Sequence, residues 1–170
     1  MYTSRPATTD VDEDPRLPAR PMKIDPARHH RDQYLLHLAI PTRFNDYDML
    51  GHVNNALYNR YFEIVVLELV KRAGVDWLRD SLVPFAAEVC VKYLKPLDFA
   101  ERVDAGLRVG HLGSSSVVYE VALYMPDEDE PSALGHFVHV FVDRKDNRPV
   151  PMPESVRAVF DEYRRRDGER

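Results

Sequence analysis

Two periodicities of hydrophobic residues divide the chain. A period of two, typical of a β-strand with one buried face, starts near Tyr34, where Leu36, Leu38 and Ile40 alternate with other residues. It returns in four later stretches, "FAAEVCVKYLKPL", "ERVDAGLRVGHLG", "SSSVVYEVALYM" and "ALGHFVHVFVDR". Because turn-forming residues separate these stretches, we expect one strand followed, after a helix, by a four-strand antiparallel meander.

One long helix is predicted between the first strand and the meander. The stretch "ALYNRYFEIVVLELVKRAG" carries apolar residues on more than one face, so other structure should wrap the helix on most sides. Lys71 and Arg72 suit its carbonyl end, and Gly74 suits the left-handed residue that follows a helix. Asn54 stands just before the helix and is a candidate N-cap.

The chain divides into a tail, one domain and a short C-terminal segment. Residues 1–33 mix prolines with charges of both signs and show no periodicity, which predicts a disordered tail in which His29 and His30 are solvated. Residues 34–152 are expected to form the domain. Residues 153–170 are expected to hold a short helix from about Glu154 and a charged end.

Composition and charge exclude several classes of function. The formal net charge of −5 lacks the basic excess of a nucleic-acid binder. No run of eighteen apolar residues and no hydrophobic signal core are present, which argues against membrane insertion and export. The single cysteine, Cys90, cannot form an internal disulfide, and we expect it to fill the core of a protein in the reducing cytoplasm.

The densest chemistry lies in "RFNDYDMLGHVNNALYNRYFE", where two aspartates, a glycine, a histidine and two asparagines lead into the long helix. A turn and a helix cap would explain these residues. A reaction site would explain them too, because the unpaired N–H groups of a helix N-terminus stabilise negative charge. A spacing of two in an extended loop turns Asp46 away from Asp48, so Asp46 is interpreted as a loop residue.

The order of strand, "DYDMLGHVNN", long helix and antiparallel strands resembles the hot-dog-fold acyl-CoA thioesterases of the 4-hydroxybenzoyl-CoA thioesterase type. The resemblance runs from about Tyr34 to Val150, with "VKYLKPLDFAERV", "GSSS" and "VHVFVDRKDNRPVPMP" as weaker matches. It implies an α+β hot-dog fold, in which an antiparallel sheet of about five strands wraps one long central helix. It also implies hydrolysis of an acyl-CoA thioester without metal or cofactor, in a homodimer or homotetramer with active sites at subunit interfaces.

The resemblance also assigns catalytic roles. Asp48 corresponds to the catalytic carboxylate, and the backbone N–H of Asn55 to the donor that stabilises the oxyanion. Asp48 would attack the thioester carbonyl as a nucleophile or activate a water as a general base, and the sequence leaves both routes open. His52 would hydrogen-bond water or substrate, or would only position the loop.

Five further residues are candidates for binding the substrate, each with a structural alternative. Gly51 would give the turn its backbone freedom, Asn54 would cap the helix, and Tyr58 would line the acyl pocket or fill the core. Lys92 would meet a phosphate of coenzyme A or remain a solvated charge. Ser115 would donate a hydrogen bond to pantetheine or phosphate, or belong to a hairpin turn.

Three alternative functions stay open. An acyl carrier protein could carry the acyl group instead of coenzyme A. A non-catalytic module could bind an acyl thioester at the same helix N-terminus, since a fold does not fix a function. A dehydratase of the same fold would need a histidine and a carboxylate, for which His52 and Asp48 are only a loose match.

Overall fold

Five strands, two α-helices and two short 3-10 turns make up residues 29–164, the part of the chain that the computed structural model describes. The strands are β1 (Leu36–Pro41), β2 (Leu82–Tyr93), β3 (Arg102–Leu112), β4 (Ser116–Tyr124) and β5 (Ala133–Asp143). The helices are α1 (Asn55–Arg72) and α2 (Glu154–Glu162), and the 3-10 turns span Arg31–Gln33 and Phe44–Asp46. The five strands and the long helix agree with the sequence prediction.

The strands form one antiparallel sheet in the order β1, β3, β4, β5, β2. The predicted four-strand meander is therefore wrong, because only β3, β4 and β5 form a meander, while β2 pairs with β5 and places Tyr93 opposite Ala133. Residues 94–101 connect β2 to β3 across the end of the sheet. The N–H groups of Leu94 and Lys95 donate to the Ser132 carbonyl, and the Leu97 carbonyl then accepts the Val53 N–H. A period of two specifies the face of each side chain but not the neighbour of a strand.

Helix α1 packs on one face of the sheet. Its buried side chains are Tyr58, Tyr61, Phe62, Val65, Val66, Leu69 and Val70. Gly74 has the predicted left-handed conformation, with φ of +78°, and Lys71 and Arg72 occupy the last turn. At the other end the Asn54 side chain accepts the Ala56 N–H at 3.0 Å, which confirms the predicted N-cap. Both ends of α1 are therefore specified by local sequence signals.

Strand β2 lies at one edge of the sheet and is largely exposed. Cys90 is a free, exposed thiol, so its predicted place in the core is wrong. The reason is that β2 pairs with only one strand, β5, within the described residues. Phe85, Val89 and Tyr93 on the same strand are exposed as well. This edge of the sheet is thus unusually apolar.

The two ends of the described chain pack on the sheet. His29 is buried with its Nδ1 2.6 Å from the Tyr34 hydroxyl, so the tail predicted for residues 1–33 is wrong at its last five positions. The remainder of that predicted tail, residues 1–28, lies outside the described residues. In α2 the Phe160 ring packs 5.8 Å from the Tyr119 ring, between ring centroids, which joins this helix to the core.

Within residues 29–164, no helix combines the length and the apolar character that crossing a bilayer requires.

Candidate functional site

The segment from Asp46 to Asn54 folds into a small hairpin that leads directly into α1. The Asp48 N–H donates to the His52 carbonyl at 2.8 Å, and the Asn54 N–H donates to the Asp46 carbonyl at 2.8 Å. Gly51 at the turn has φ of +79°, a left-handed conformation that costs glycine little. The hairpin therefore holds the aspartate side and the helix side of the segment together.

Asp48 is exposed beside this turn and is bonded through only one of its oxygens. Its Oδ1 accepts the Leu50 N–H at 2.8 Å and the His52 N–H at 3.2 Å. No described residue donates a hydrogen bond to Oδ2, which leaves that oxygen available for a substrate or a water.

The Asp48 carboxylate lies within electrostatic reach of the first turn of α1. Burial is the main cause that raises the pKa of Tyr58, and the negative charges of Asp98 and Asp48 add to the rise. The Asp48 charge thus reaches the hydroxyl of Tyr58, a residue of the first turn of α1.

Asn55 is the first residue of α1, and its N–H has no protein acceptor within the described residues. The next two N–H groups are satisfied by Asn54, whose side chain binds Ala56 and whose carbonyl binds Leu57 at 2.9 Å. The unpaired N–H groups of a helix N-terminus carry partial positive charge, so this one can stabilise an oxyanion.

Asp46 makes different contacts from Asp48. Its Oδ2 accepts both the Arg43 N–H and the Tyr61 hydroxyl, each at 2.9 Å. Burial, followed by this hydrogen bond, raises the pKa of Tyr61, so the hydroxyl remains a donor at neutral pH. Asp46 is therefore engaged within the fold, and it ends the 3-10 turn Phe44–Asp46 instead of lying in the extended loop that the prediction assumed.

Residues 97–100, in the connection between β2 and β3, form a second wall of the site. The Val53 N–H donates to the Leu97 carbonyl at 2.8 Å, and the Tyr47 hydroxyl donates to the Ala100 carbonyl at 2.7 Å. The His52 Nε2 lies 3.5 Å from Asp98 Oδ1. His52 thus supports Asp48 through its backbone N–H while its imidazole faces Asp98.

An apolar surface leads away from the helix N-terminus along β2. Tyr58 is buried, its hydroxyl accepts the Leu97 N–H at 3.3 Å, and its ring packs against that of Tyr93 with centroids 4.9 Å apart. Val91 and Val89 follow Tyr93 on the same face of β2, since alternate residues of a strand share a face. Tyr93 was not among the predicted site residues, although its alternation with Lys92 was the available signal.

Lys92 and Ser115 are not brought to Asp48 within one chain. Lys92 pairs with Leu134, which packs with Tyr34, Ala122 and Tyr124 on the face of the sheet away from α1.

The Ser115 carbonyl accepts the Phe141 N–H, whereas Tyr93 pairs with Ala133 at the other end of β5. Phe141 lies eight residue steps along β5 from Ala133, which is about 27 Å at the usual rise. The structure therefore gathers Asp48, Asn55, His52, Gly51, Asn54 and Tyr58, while Lys92 and Ser115 lie elsewhere.

No group of three or more His, Cys, Asp and Glu side chains in residues 29–164 is arranged to hold a metal ion.

Comparisons with known proteins give the chain its relatives. The sequence pattern of the thioesterase-like superfamily matches residues 42–160, which is more than half of the chain. The crystal structure of the PA5185 protein from Pseudomonas aeruginosa PAO1 is 38% identical, with a TM-score of 0.77 over 80% of this chain and 96% of that one. A thioesterase from Thermus thermophilus, solved with coenzyme A and zinc, is 32% identical, with a TM-score of 0.67 over 79% of this chain and 98% of that one.

A further relative is the chloroplastic acyl-acyl carrier protein thioesterase ATL3 of Arabidopsis thaliana. It is 25% identical over 133 residues, which is 75% of this chain and 70% of that protein.

The sheet of five antiparallel strands, the long helix packed on it and these structural relatives confirm the expected α+β hot-dog fold. The Thermus thermophilus and Arabidopsis relatives are both named as thioesterases. This favours hydrolysis over a binding module without catalysis. The candidate site holds a carboxylate and, within the described residues, an unpaired N–H at a helix N-terminus, which are groups that can serve acyl transfer. The chain belongs to the thioesterase-like superfamily and is a hot-dog-fold thioester hydrolase.

Proposed function

We propose that the protein hydrolyses acyl-coenzyme A thioesters to a carboxylic acid and coenzyme A, with Asp48 as the working carboxylate and the Asn55 N–H as the oxyanion donor. One observation carries the proposal. An exposed carboxylate with an unengaged oxygen is held on a hairpin that leads directly into α1, whose first N–H is unpaired within the described residues. The Thermus thermophilus thioesterase solved with coenzyme A supports coenzyme A as the thiol carrier.

The chemistry follows from these two groups. The thioester oxygen accepts the Asn55 N–H, which stabilises the negative charge that develops as the carbonyl carbon is attacked. In one route Asp48 Oδ2 attacks that carbon and the C–S bond breaks. The thiolate leaves and takes a proton, and water hydrolyses the resulting mixed anhydride. In the other route Asp48 takes a proton from a water that attacks the same carbon. Both routes consume one water and yield one acid and one thiol.

The acyl chain is proposed to lie along the apolar surface formed by Tyr58, Tyr93, Val91 and Val89. Tyr58 is in the first turn of α1, where the carbonyl would be held, and the β2 residues extend from there along the sheet edge. Apolar surface with few polar groups suits an acyl chain.

We propose a homodimer or homotetramer in which β2 edges meet and complete the active sites. Exposed apolar residues support this, because Met49 and Leu50 follow Asp48 in the turn, Phe99 packs on Tyr47, and Phe85, Val89 and Tyr93 line the β2 edge. An exposed apolar strand edge is a surface that proteins normally cover. In such an assembly Lys92 and Ser115 would serve the coenzyme A of a partner's site.

An acyl carrier protein is the second candidate for the thiol carrier. The Arabidopsis relative acts on acyl-acyl carrier protein, which is the observation in its favour. Matched acyl chains offered on coenzyme A and on the carrier protein will separate the two, by the ratio of their kcat/KM values.

The first experiment measures free-thiol release by the purified protein from short, long and aromatic acyl-CoAs, with Asp48→Asn in parallel. Turnover should fall at least about 100-fold in Asp48→Asn, the scale of a lost general base. Asp127→Asn is the matched control, because it makes the same chemical change at an exposed turn between β4 and β5.

Thermal unfolding will confirm that both variants are folded. A folded Asp48→Asn with unchanged turnover would overturn the assignment of Asp48. A wild-type protein that releases thiol from acyl carrier protein but from no acyl-CoA would move the substrate to the second candidate.

A further inference from the structure

Asp46 joins three parts of the site. Its Oδ2 accepts the Arg43 N–H before the hairpin and the Tyr61 hydroxyl in the second turn of α1. Its backbone carbonyl accepts the N–H of Asn54, the residue before Asn55. One residue therefore ties the start of the hairpin, its return to the helix and the body of α1 together.

Tyr61 is anchored independently of this bond. Its side chain is 3% exposed and its ring belongs to the main core cluster, so the position of the hydroxyl is set by core packing. Since burial and the bond to Asp46 raise the pKa of Tyr61, the hydroxyl stays protonated and donates. The core thus offers a fixed donor to the Asp46 carboxylate.

Of the two proposed reacting groups, Asp48 lies on the hairpin and Asn55 follows it directly. Asp48 follows Asp46 by two residues and pairs with His52, while Asn55 follows Asn54, which pairs with Asp46. A shift of Asp46 away from Tyr61 would therefore move the Asp48 turn relative to the Asn55 N–H.

We infer that Asp46 and Tyr61 are positioning residues of the thioesterase site, and that the hydrogen bond between them holds the Asp48 turn against the N-terminus of α1. This inference rests on the proposed function of Asp48 and Asn55. Neither Asp46 nor Tyr61 touches the substrate in this scheme, so their loss acts on kcat and leaves KM nearly unchanged. A misplacement of about 1 Å can cost about 100-fold in rate.

The kinetic test compares Tyr61→Phe, Asp46→Ala and Asp46→Asn on the preferred acyl-CoA. Tyr61→Phe and Asp46→Ala should each lower kcat by about 10- to 100-fold. Asp46→Asn should retain most of kcat, because both hydrogen bonds go to one oxygen, which an amide oxygen can replace. If Asp46 were itself the working carboxylate, Asp46→Asn would lose as much activity as Asp46→Ala, and the inference would be overturned.

Tyr124→Phe is the matched control. It removes another buried tyrosine hydroxyl that donates one hydrogen bond, to the His29 carbonyl at 3.1 Å, on the face of the sheet away from α1. Its kcat should equal that of the wild type. The double variant Tyr61→Phe with Asp46→Ala should lose no more than the worse single variant, since the two residues share one interaction.

Amide hydrogen exchange decides the inference without any catalytic assay. Tyr61→Phe should speed exchange at the N–H groups of Leu50, His52 and Asn54, and Tyr124→Phe should not. Unchanged exchange at these three amides in a folded Tyr61→Phe overturns the inference, whatever the activity. If the wild type hydrolyses no thioester, the proposed function fails, while the exchange data still accept or reject the positioning role.

Discussion

At the scale of single residues, His52 offers two separable contributions to the site. Its backbone N–H supports Asp48 Oδ1, whereas its imidazole faces Asp98. His52→Ala keeps the first and removes the second, so we expect kcat/KM to fall by less than about 10-fold, against about 100-fold or more for Asp48→Asn. Thiol-release kinetics on the same acyl-CoA will measure both. Equal losses in the two variants would make the imidazole a catalytic group.

His139 on β5 gives a prediction for stability against pH. Burial lowers the pKa of His139 from 6.5 to about 4, and its ring packs on those of Tyr119 and Phe137. The unfolded chain therefore binds a proton below pH 6.5 that the folded protein does not bind until about pH 4. The contribution of His139 to the free energy of unfolding is fully present above pH 6.5. It is lost as the pH drops to about 4, by about 3 kcal/mol at most.

Denaturant unfolding at pH 7, 5.5 and 4 will test this. His139→Gln should lose about 3 kcal/mol less than the wild type between pH 7 and pH 4, because its side chain does not titrate. His111→Gln is the control, since His111 is exposed on β3. An identical pH dependence in His139→Gln and wild type would show that His139 does not cause the acid loss.

At the scale of the element, the N-terminus of α1 is both a helix end and part of the site. The Asn54 side chain satisfies the Ala56 N–H, so Asn54→Ala should cost about 1 kcal/mol of unfolding free energy. Asn54→Ser should cost much less, because serine caps a helix nearly as well as asparagine. Denaturant unfolding at neutral pH compares the variants, and an equal loss in both would mean that capping is not the role of Asn54.

The same helix shows what a sequence can predict. Asn54 and Gly74 act through contacts a few residues long, so local signals located both ends of α1. The pairing of β2 with β5 and the exposure of Cys90 depend on the path of residues 94–101, which no periodicity encodes. The bond between Asp46 and Tyr61 spans fifteen residues and needs the hairpin and the helix to be in place first. Asp48 and Asn55 were assigned as reacting groups because the resemblance supplied them, and those roles stay predictions.

At the scale of the whole molecule, one connection determines two features. The segment between β2 and β3 prevents a four-strand meander and also forms one wall of the candidate site. Residues 94–101 run from the β5 side of the sheet towards β1 and pass the start of α1 on the way. Their contacts with Tyr47, His52 and Val53 hold the hairpin, and the Leu97 N–H also donates to Tyr58 in α1. Strand order and site geometry are therefore two consequences of one chain path.

The strand order also leaves two sheet edges that differ in character, and this leads to a prediction about assembly. The β2 edge exposes Phe85, Val89 and Tyr93, whereas β1 at the other edge is short and ends in Pro41. If β2 edges meet in the proposed homodimer, Val89→Lys places a charge in the interface twice, once from each copy. The loss of two buried valines, about 3–6 kcal/mol, corresponds to a roughly 10²- to 10⁴-fold weaker dimer.

Light scattering over a concentration series will measure this change, with Ala39→Lys as the control because Ala39 is exposed on the opposite edge strand. We expect Val89→Lys to become monomeric at concentrations where the wild type and Ala39→Lys remain assembled. Turnover should fall together with assembly, because the interface is proposed to complete the active sites and because Val89 itself is proposed to line the acyl surface. A wild type that is monomeric yet fully active, or an assembly that only Ala39→Lys disrupts, would contradict the proposal that β2 edges join the subunits. An active Val89→Lys monomer would instead retain the β2 interface but remove the partner subunit from the catalytic site.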